Sequence, residues 1–295
     1  MSVVVLLTFT GLGLGALYFL VASGLSLIFG LMDVLNFAHG ALLSVGAYGT
    51  WWAASGNLPG AGSGGFGFVL AVVFGTALGT VAAVLLELAV IRPLYERPRE
   101  QILATVGVSL AVPALLSAIW GTDARTFPGP QALSGTFGLL GATVPVDRLV
   151  LIAAALVVLA ALKLFLARTR HGLVVRAGVE DRAMVTALGI DVRRAFTLVF
   201  AIGGAPAALA GALGGLYFGS VDPTQGTSLL IFAFVVVVMG GMGSVTGSAL
   251  AAAAVGLVQQ FANYYTAAGL GDLSVVVLLA VLLLVRPRGL TGRLA

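Results

Sequence analysis

The chain has 295 residues, 60% of them apolar and only 9% charged, with no cysteine and a formal net charge of +4. Ordinary globular domains carry about 25% charged residues, so a soluble fold is excluded, as are disulfides, thiolate nucleophiles and cysteine metal sites. The only histidines, His39 and His171, stand in unlike settings, and no basic stripe interleaved with aromatics suggests a nucleic-acid surface.

Apolar stretches fall at 3–31, 34–55, 66–91, 102–120, 148–167, 195–219, 228–242, 246–265 and 271–285. Several exceed the ~20 residues that cross ~30 Å of hydrocarbon. The expected fold is an all-α polytopic membrane protein with eight or nine embedded segments in one transmembrane domain, residues 1–295. The first stretch has no positive region before it, the first basic residue being Arg92. It reads as a retained span that starts insertion, long enough to tilt or to break at Ser23-Gly24. Stretch 228–242 is short for a full crossing. It is either a span or a broken helix inside protein.

After the first span comes Asp33-Val-Leu-Asn36-Phe37-Ala-His39-Gly40. On a helix, Asp33, Asn36 and His39 would share a face. Polar groups at membrane depth are costly and face protein or water, so three readings stand: a hydrogen-bonded structural network, Asn36, Phe37 and His39 lining a path or gate, or a proton relay, which a lone histidine without a close acidic cluster serves poorly. Glu87, five residues before Arg92, reads as an interfacial structural charge. Pro113 and Pro206 fall inside spans and are expected to kink them. Asp222-Pro223 begins an external turn, and Asn263-Tyr264-Tyr265 resembles an interfacial belt. Loop 56–65 is Gly-rich and uncharged, whereas 121–147 is longer and carries prolines.

Basic residues set the orientation. Loop 92–100 holds three, the island 168–194 six and the tail 286–295 three, whereas loops 56–65, 121–147 and 220–227 hold only Arg125. The basic set, with the C-terminus, is expected on the cytoplasmic side. Small residues recur every four positions at Gly203, Ala207, Gly211, Gly215 and Gly219, the spacing that lets membrane helices approach closely.

The hydrophilic island at 168–194 reads Gly178-Val-Glu180-Asp181-Arg182-Ala-Met184-Val-Thr-Ala187-Leu188-Gly189 at its centre. Acids suit a first helical turn and Gly189 suits a C′ position, which predicts a short helix over 179–188. Met184, Ala187, Leu188 and Ile190 give it an apolar patch. It reads as a docking surface for a cytosolic protein, or as a connector on the headgroups. The chain contains no Gly-x4-Gly-Lys-Ser/Thr phosphate loop, and its one lysine is Lys163. It therefore does not hydrolyse nucleotide by that route, and no protease or hydrolase motif is present.

Three blocks resemble the LivH-type permease family of branched-chain amino acid ABC importers. They are Gly24-Leu-Ser-Leu-Ile-Phe-Gly30 leading into Asn36-Phe-Ala-His-Gly40, Glu180-Asp-Arg-Ala-Met-Val-Thr-Ala-Leu-Gly189-Ile-Asp-Val192, and Gly240-Gly-Met-Gly-Ser244 with Gly247. The resemblance implies a type II ABC importer permease in a bacterial inner membrane. Its partners would be a second homologous permease, two cytosolic ATPases that bind ATP and Mg, and an extracytoplasmic substrate-binding protein. It implies an ATPase-coupling role for Glu180, Asp181, Arg182, Met184, Ala187, Leu188 and Gly189, and no cofactor in this chain. The cargo would be branched-chain or other hydrophobic amino acids, with urea or short amides as the alternative in the same family. An ion-coupled secondary transporter and a membrane enzyme are the competing classes; the scarcity of intramembrane acids argues against the first, and the lack of a second catalytic partner for His39 or Asp33 against the second.

Overall fold

The computed structural model describes every residue except Met1, Asp33, Val34, Leu140, Asp181, Leu188, Ile190, Asp191, Ala268, Arg288 and 292–295. Each of the nine apolar stretches carries a helix: α1 (Ser2–Met32), α2 (His39–Trp52), α3 (Gly65–Leu86), α4 (Pro98–Trp120), α5 (Val146–Arg168), α8 (Val192–Phe218), α9 (Gln225–Gly240), α10 (Val245–Tyr265) and α11 (Leu270–Val285). The island adds α6 (Arg170–Glu180) and α7 (Arg182–Ala187). Among the described residues, six helices are long and apolar enough to cross a membrane. Sheet structure among the described residues is confined to two short ribbons, β1 (Arg125–Thr126) with β4 (Ser220–Val221) and β2 (Thr136–Leu139) with β3 (Ala142–Pro145).

The centre of the bundle is α1 and α8, whose most apolar windows are 56% and 67% buried, against 17% for α4 and for α5. α1 packs against α10, α8, α5 and α9, while α2 fills the space between α3 and α8. Helices in lipid associate by close packing rather than by hydrophobic drive, and the glycines provide it. A Cβ on Gly24 would collide with the carbonyl oxygen of Gly203, and one on Gly211 with that of Leu43. α1 therefore runs unbroken through Ser23-Gly24; Gly24 is a contact point instead of a break.

Pro113 and Pro206 both lie within helices that continue past them. The segment 228–242 resolves into α9, whose 16 residues rise only about 24 Å. The turn after it is closed by Ser244, whose hydroxyl accepts from the Gly247 amide at 3.1 Å to cap α10. The tail returns to this turn, with the Leu290 amide donating to the Met239 carbonyl (2.8 Å) and Thr291 to that of Gly240.

Candidate functional site

At one end of the bundle the hydrophilic island forms α6 and α7. α5 stops at Arg168, and the Thr169 hydroxyl accepts from the Gly172 amide at 2.9 Å, the bond that starts α6. A side chain at Gly172 would run into the Phe165 carbonyl, so the turn needs glycine there. Residues 170–180 and 182–187 are helical, so the helix expected over 179–188 begins earlier than the sequence placed it. Glu180 is the last described residue of α6, not in its first turn, and the N-cap is Thr169, eleven residues earlier. Asp181 and Leu188 lie outside the described residues, and Glu180 and Arg182 are described in their backbone alone. Gly189 has φ 78°, the left-handed conformation of a C′ residue.

Two valines fasten the pair to the bundle. Val175 and Val185 are 1% and 3% exposed, packed in a cluster with Ile91, Leu86, Phe196 and the end of α1. Met184 is 62% exposed, and Ala187 and Gly189 are exposed too. The face that the sequence left open is thus set: Met184 and Ala187 point away from the bundle, Val185 into it.

Beside this pair sits a buried charge. Glu87 is fully buried in a π-helical turn, 87–91, that ends α3. Arg92 pairs with it at 3.2 Å. Thr197, in the first turns of α8, accepts from Arg92 at 2.7 Å and donates to Glu87 at 2.9 Å. Tyr95 also donates to Glu87, and burial followed by that hydrogen bond pushes the phenol well above its usual range, so it remains a donor. The carboxylate joins α3 to the helix that follows α7. Thr197→Val removes one donor and one acceptor from this cluster; we expect a loss of about 1–3 kcal/mol, read as a lower thermal midpoint in detergent.

At the other end of α8 a cleft of about 520 Å³ opens between α1, α9 and α10. The Tyr18 hydroxyl donates to Gln259 (2.8 Å), whose amide donates to Asp272 (2.7 Å), tying α1, α10 and α11 together. Arg148 lies over the Tyr217 ring at 3.6 Å and pairs with Asp147 at 2.7 Å, joining α5 to α8. The Asp222-Pro223 turn is tied to α2: the Ser44 hydroxyl donates to the Pro223 carbonyl at 3.3 Å. Ser44 is seven residues before Trp51, whose indole reaches Thr126 in the end loop, or about 10 Å of helix below it. Asn263 accepts from the Gly271 amide at 3.0 Å, linking α10 to α11, while Tyr264 and Tyr265 are exposed.

Asn36, Phe37 and His39 lie between these ends. Residues 35–38 are not helical, so the shared helical face does not form, and Asp33 is outside the described residues. Asn36 instead folds onto its own chain, its carbonyl accepting from the Ala38 amide at 3.1 Å. His39 opens α2, fully buried, with Nε2 3.1 Å from the Val21 carbonyl; that contact needs the proton on Nε2. Phe37 packs on Phe234 at 5.2 Å. None of the three lines the cleft. Of the five-residue small stripe, Gly203, Gly211 and Gly215 pack against Gly24, Leu43 and Phe127, and Ala207 is fully buried. Gly219 is the exception: it follows the end of α8 with φ 69° and a Cβ there would meet nothing, so it turns the chain instead of packing it.

Residues 7–286 match the family model described as "Branched-chain amino acid transport system / permease component". The chain belongs to that family. This permease is 30% identical to the high-affinity branched-chain amino acid transport system permease protein LivH of Escherichia coli K12, over 97% of this chain and 94% of that protein. It is 28% identical to BraD of Pseudomonas aeruginosa, over 96% and 94%. A probable LivH of Methanocaldococcus jannaschii is 27% identical, over 92% and 88%. Among solved structures, PsaBC from Streptococcus pneumoniae in complex with Fab aligns at 15% identity and a TM-score of 0.48, covering 94% of this chain and 89% of that one.

Three site residues of this permease escaped the motif reading: Tyr18, Gln225 and Gln259. Their signal was present, since isolated polar residues in apolar helices face protein or water, but none belongs to a recognisable block.

Proposed function

We propose that this permease is the membrane subunit of an ATP-driven importer for branched-chain or other hydrophobic amino acids, placed in a bacterial inner membrane with its C-terminus cytoplasmic. A second homologous permease would complete the path, two cytosolic ATPases would drive it with ATP and Mg, and an extracytoplasmic binding protein would deliver cargo. The observation that carries this reading is the α6–α7 pair: Val175 and Val185 anchor it, while Met184 and Ala187 are turned outward. An exposed apolar face on an anchored helix pair suits a groove on a soluble partner. It stands in the basic part of the chain, the side expected to meet cytoplasm.

Nucleotide shifts the access equilibrium only if it binds two states of the assembly unequally. The ATPases would supply that difference, and the helix pair would pass it to α8 through Thr197, Glu87 and Arg92. Glu180–Gly189 form the coupling segment in this reading. Asn36, Phe37 and His39 act as a gate, since His39 holds α2 to the middle of α1.

The test is leucine uptake by proteoliposomes holding this chain with its co-purifying permease, ATPases and binding protein. Uptake should require ATP. Uptake driven by an ion gradient with no ATPase present would assign the chain to secondary transport, and uptake of urea but not leucine would reassign the cargo.

A further inference from the structure

We propose that the cleft between α1, α9 and α10 binds the ammonium group of a small aliphatic ligand, through Asp222 and Gln225. This rests on the amino-acid reading above and gives that cargo a place in this chain.

The first observation is an unmatched acceptor. Gln225 is 8% exposed and lines the cleft, yet its Oε1 has no hydrogen-bond partner among the described residues. A buried orphan acceptor is costly, and such a group in a native fold calls for an unseen donor. The second is a fixed carboxylate three residues away. Asp222 accepts from the Thr224 amide at 2.9 Å and from its hydroxyl at 2.7 Å, so the charge is held at the cleft wall. Asp222 is half-buried beside Pro223, whose carbonyl accepts from Ser44, and a partly desolvated charge gains from a counter-charge.

No described residue lining the cleft is lysine or arginine; of the cations beside it, Arg148 is engaged by Asp147 and the Tyr217 ring, and Arg125, whose strand pairs with Ser220–Val221, by the Trp120 carbonyl and the Trp51 ring. An acceptor pair without a cation selects a ligand that brings its own. An ammonium group offers three donors and the charge. A neutral amide would supply donors but leave Asp222 uncompensated.

The rest of the cleft fits the remainder of such a ligand. Leu14, Leu229 and Phe232 give it an apolar wall, Phe232 being stacked on Tyr18 at 5.1 Å. Its volume of about 520 Å³ falls within the ~300–1,000 Å³ of small-molecule sites.

The absence of cysteine makes a direct test available. Ser228 lines the cleft and is exposed, so Ser228→Cys reports on it in membrane vesicles holding the full chain; Ser220→Cys is the second reporter. Relative to a free thiol, the cationic aminoethyl methanethiosulfonate should react roughly tenfold faster than the anionic sulfonatoethyl reagent, the effect of one nearby charge at intermediate dielectric. Asp222→Asn should erase that preference. L-leucine and isoamylamine should slow the modification, isocaproate should not, and Gln225→Leu should weaken the protection. A preference that survives Asp222→Asn, protection by isocaproate equal to that by isoamylamine, or protection by urea alone overturns the site. If the charge preference and isoamylamine protection hold while proteoliposomes take up no leucine, the site stands and the importer reading falls.

Discussion

Replacing Gly24 by leucine should remove most of the folded chain, measured as the monodisperse fraction and thermal midpoint after extraction into detergent. The missing Cβ is what allows α1 to rest on the Gly203 carbonyl of α8. Both partners are backbone, and both belong to the two most buried spans, so no rotamer change relieves the collision. Overpacking costs about 1–3 kcal/mol where side chains can shift, and more where they cannot. Against a total of about 5–15 kcal/mol that is a large share. Gly107→Ala in α4 is the contrast. A Cβ there meets nothing within 4 Å, and exchanging a helical glycine for alanine gains up to about 1 kcal/mol. A normal midpoint for Gly24→Leu would refute the packing account.

The second large effect falls on the proposed coupling face. Met184→Asp combined with Ala187→Asp should lower both co-purification of the ATPases and ATP-driven uptake by at least roughly tenfold, since truncating central interface anchors costs 2 kcal/mol or more. Both side chains are exposed, so the thermal midpoint should hold. Val185→Asp should do the reverse, lowering the midpoint because a charge replaces a side chain that is 3% exposed. Intact coupled transport in the double variant would sink the docking claim.

The apolar runs made the helices legible because hydropathy reports burial in lipid or protein directly. It said less about length, since the 14 residues of α2 and the 16 of α9 are apolar for the same reason as the full spans. Helix starts were harder. Glu180 and Asp181 looked like a first turn, yet Thr169, a stronger N-cap, stood unnoticed behind Arg168. The spacing of the glycine stripe was informative for Gly203 and Gly211 but not for Gly219, because four-residue spacing does not say where the helix stops. The cleft was legible only in pieces: Asp222 and Asn263 stood out as polar residues, but Tyr18 and Gln259 lie 241 residues apart, and no local pattern relates them.

That separation bears on how the molecule is made. α1 is made before the helices that pack on it, and three of its main neighbours, α8, α9 and α10, are made after residue 191. Ser44 waits 179 residues for Pro223, which at ~5–20 residues per second is roughly 9–36 s. Throughout that interval the faces of Gly11, Gly15 and Gly24 have lipid or the insertion machinery for company. The helix at the centre of the finished protein is thus older than the helices that cover it, and the bundle closes around it only as residues beyond 191 arrive.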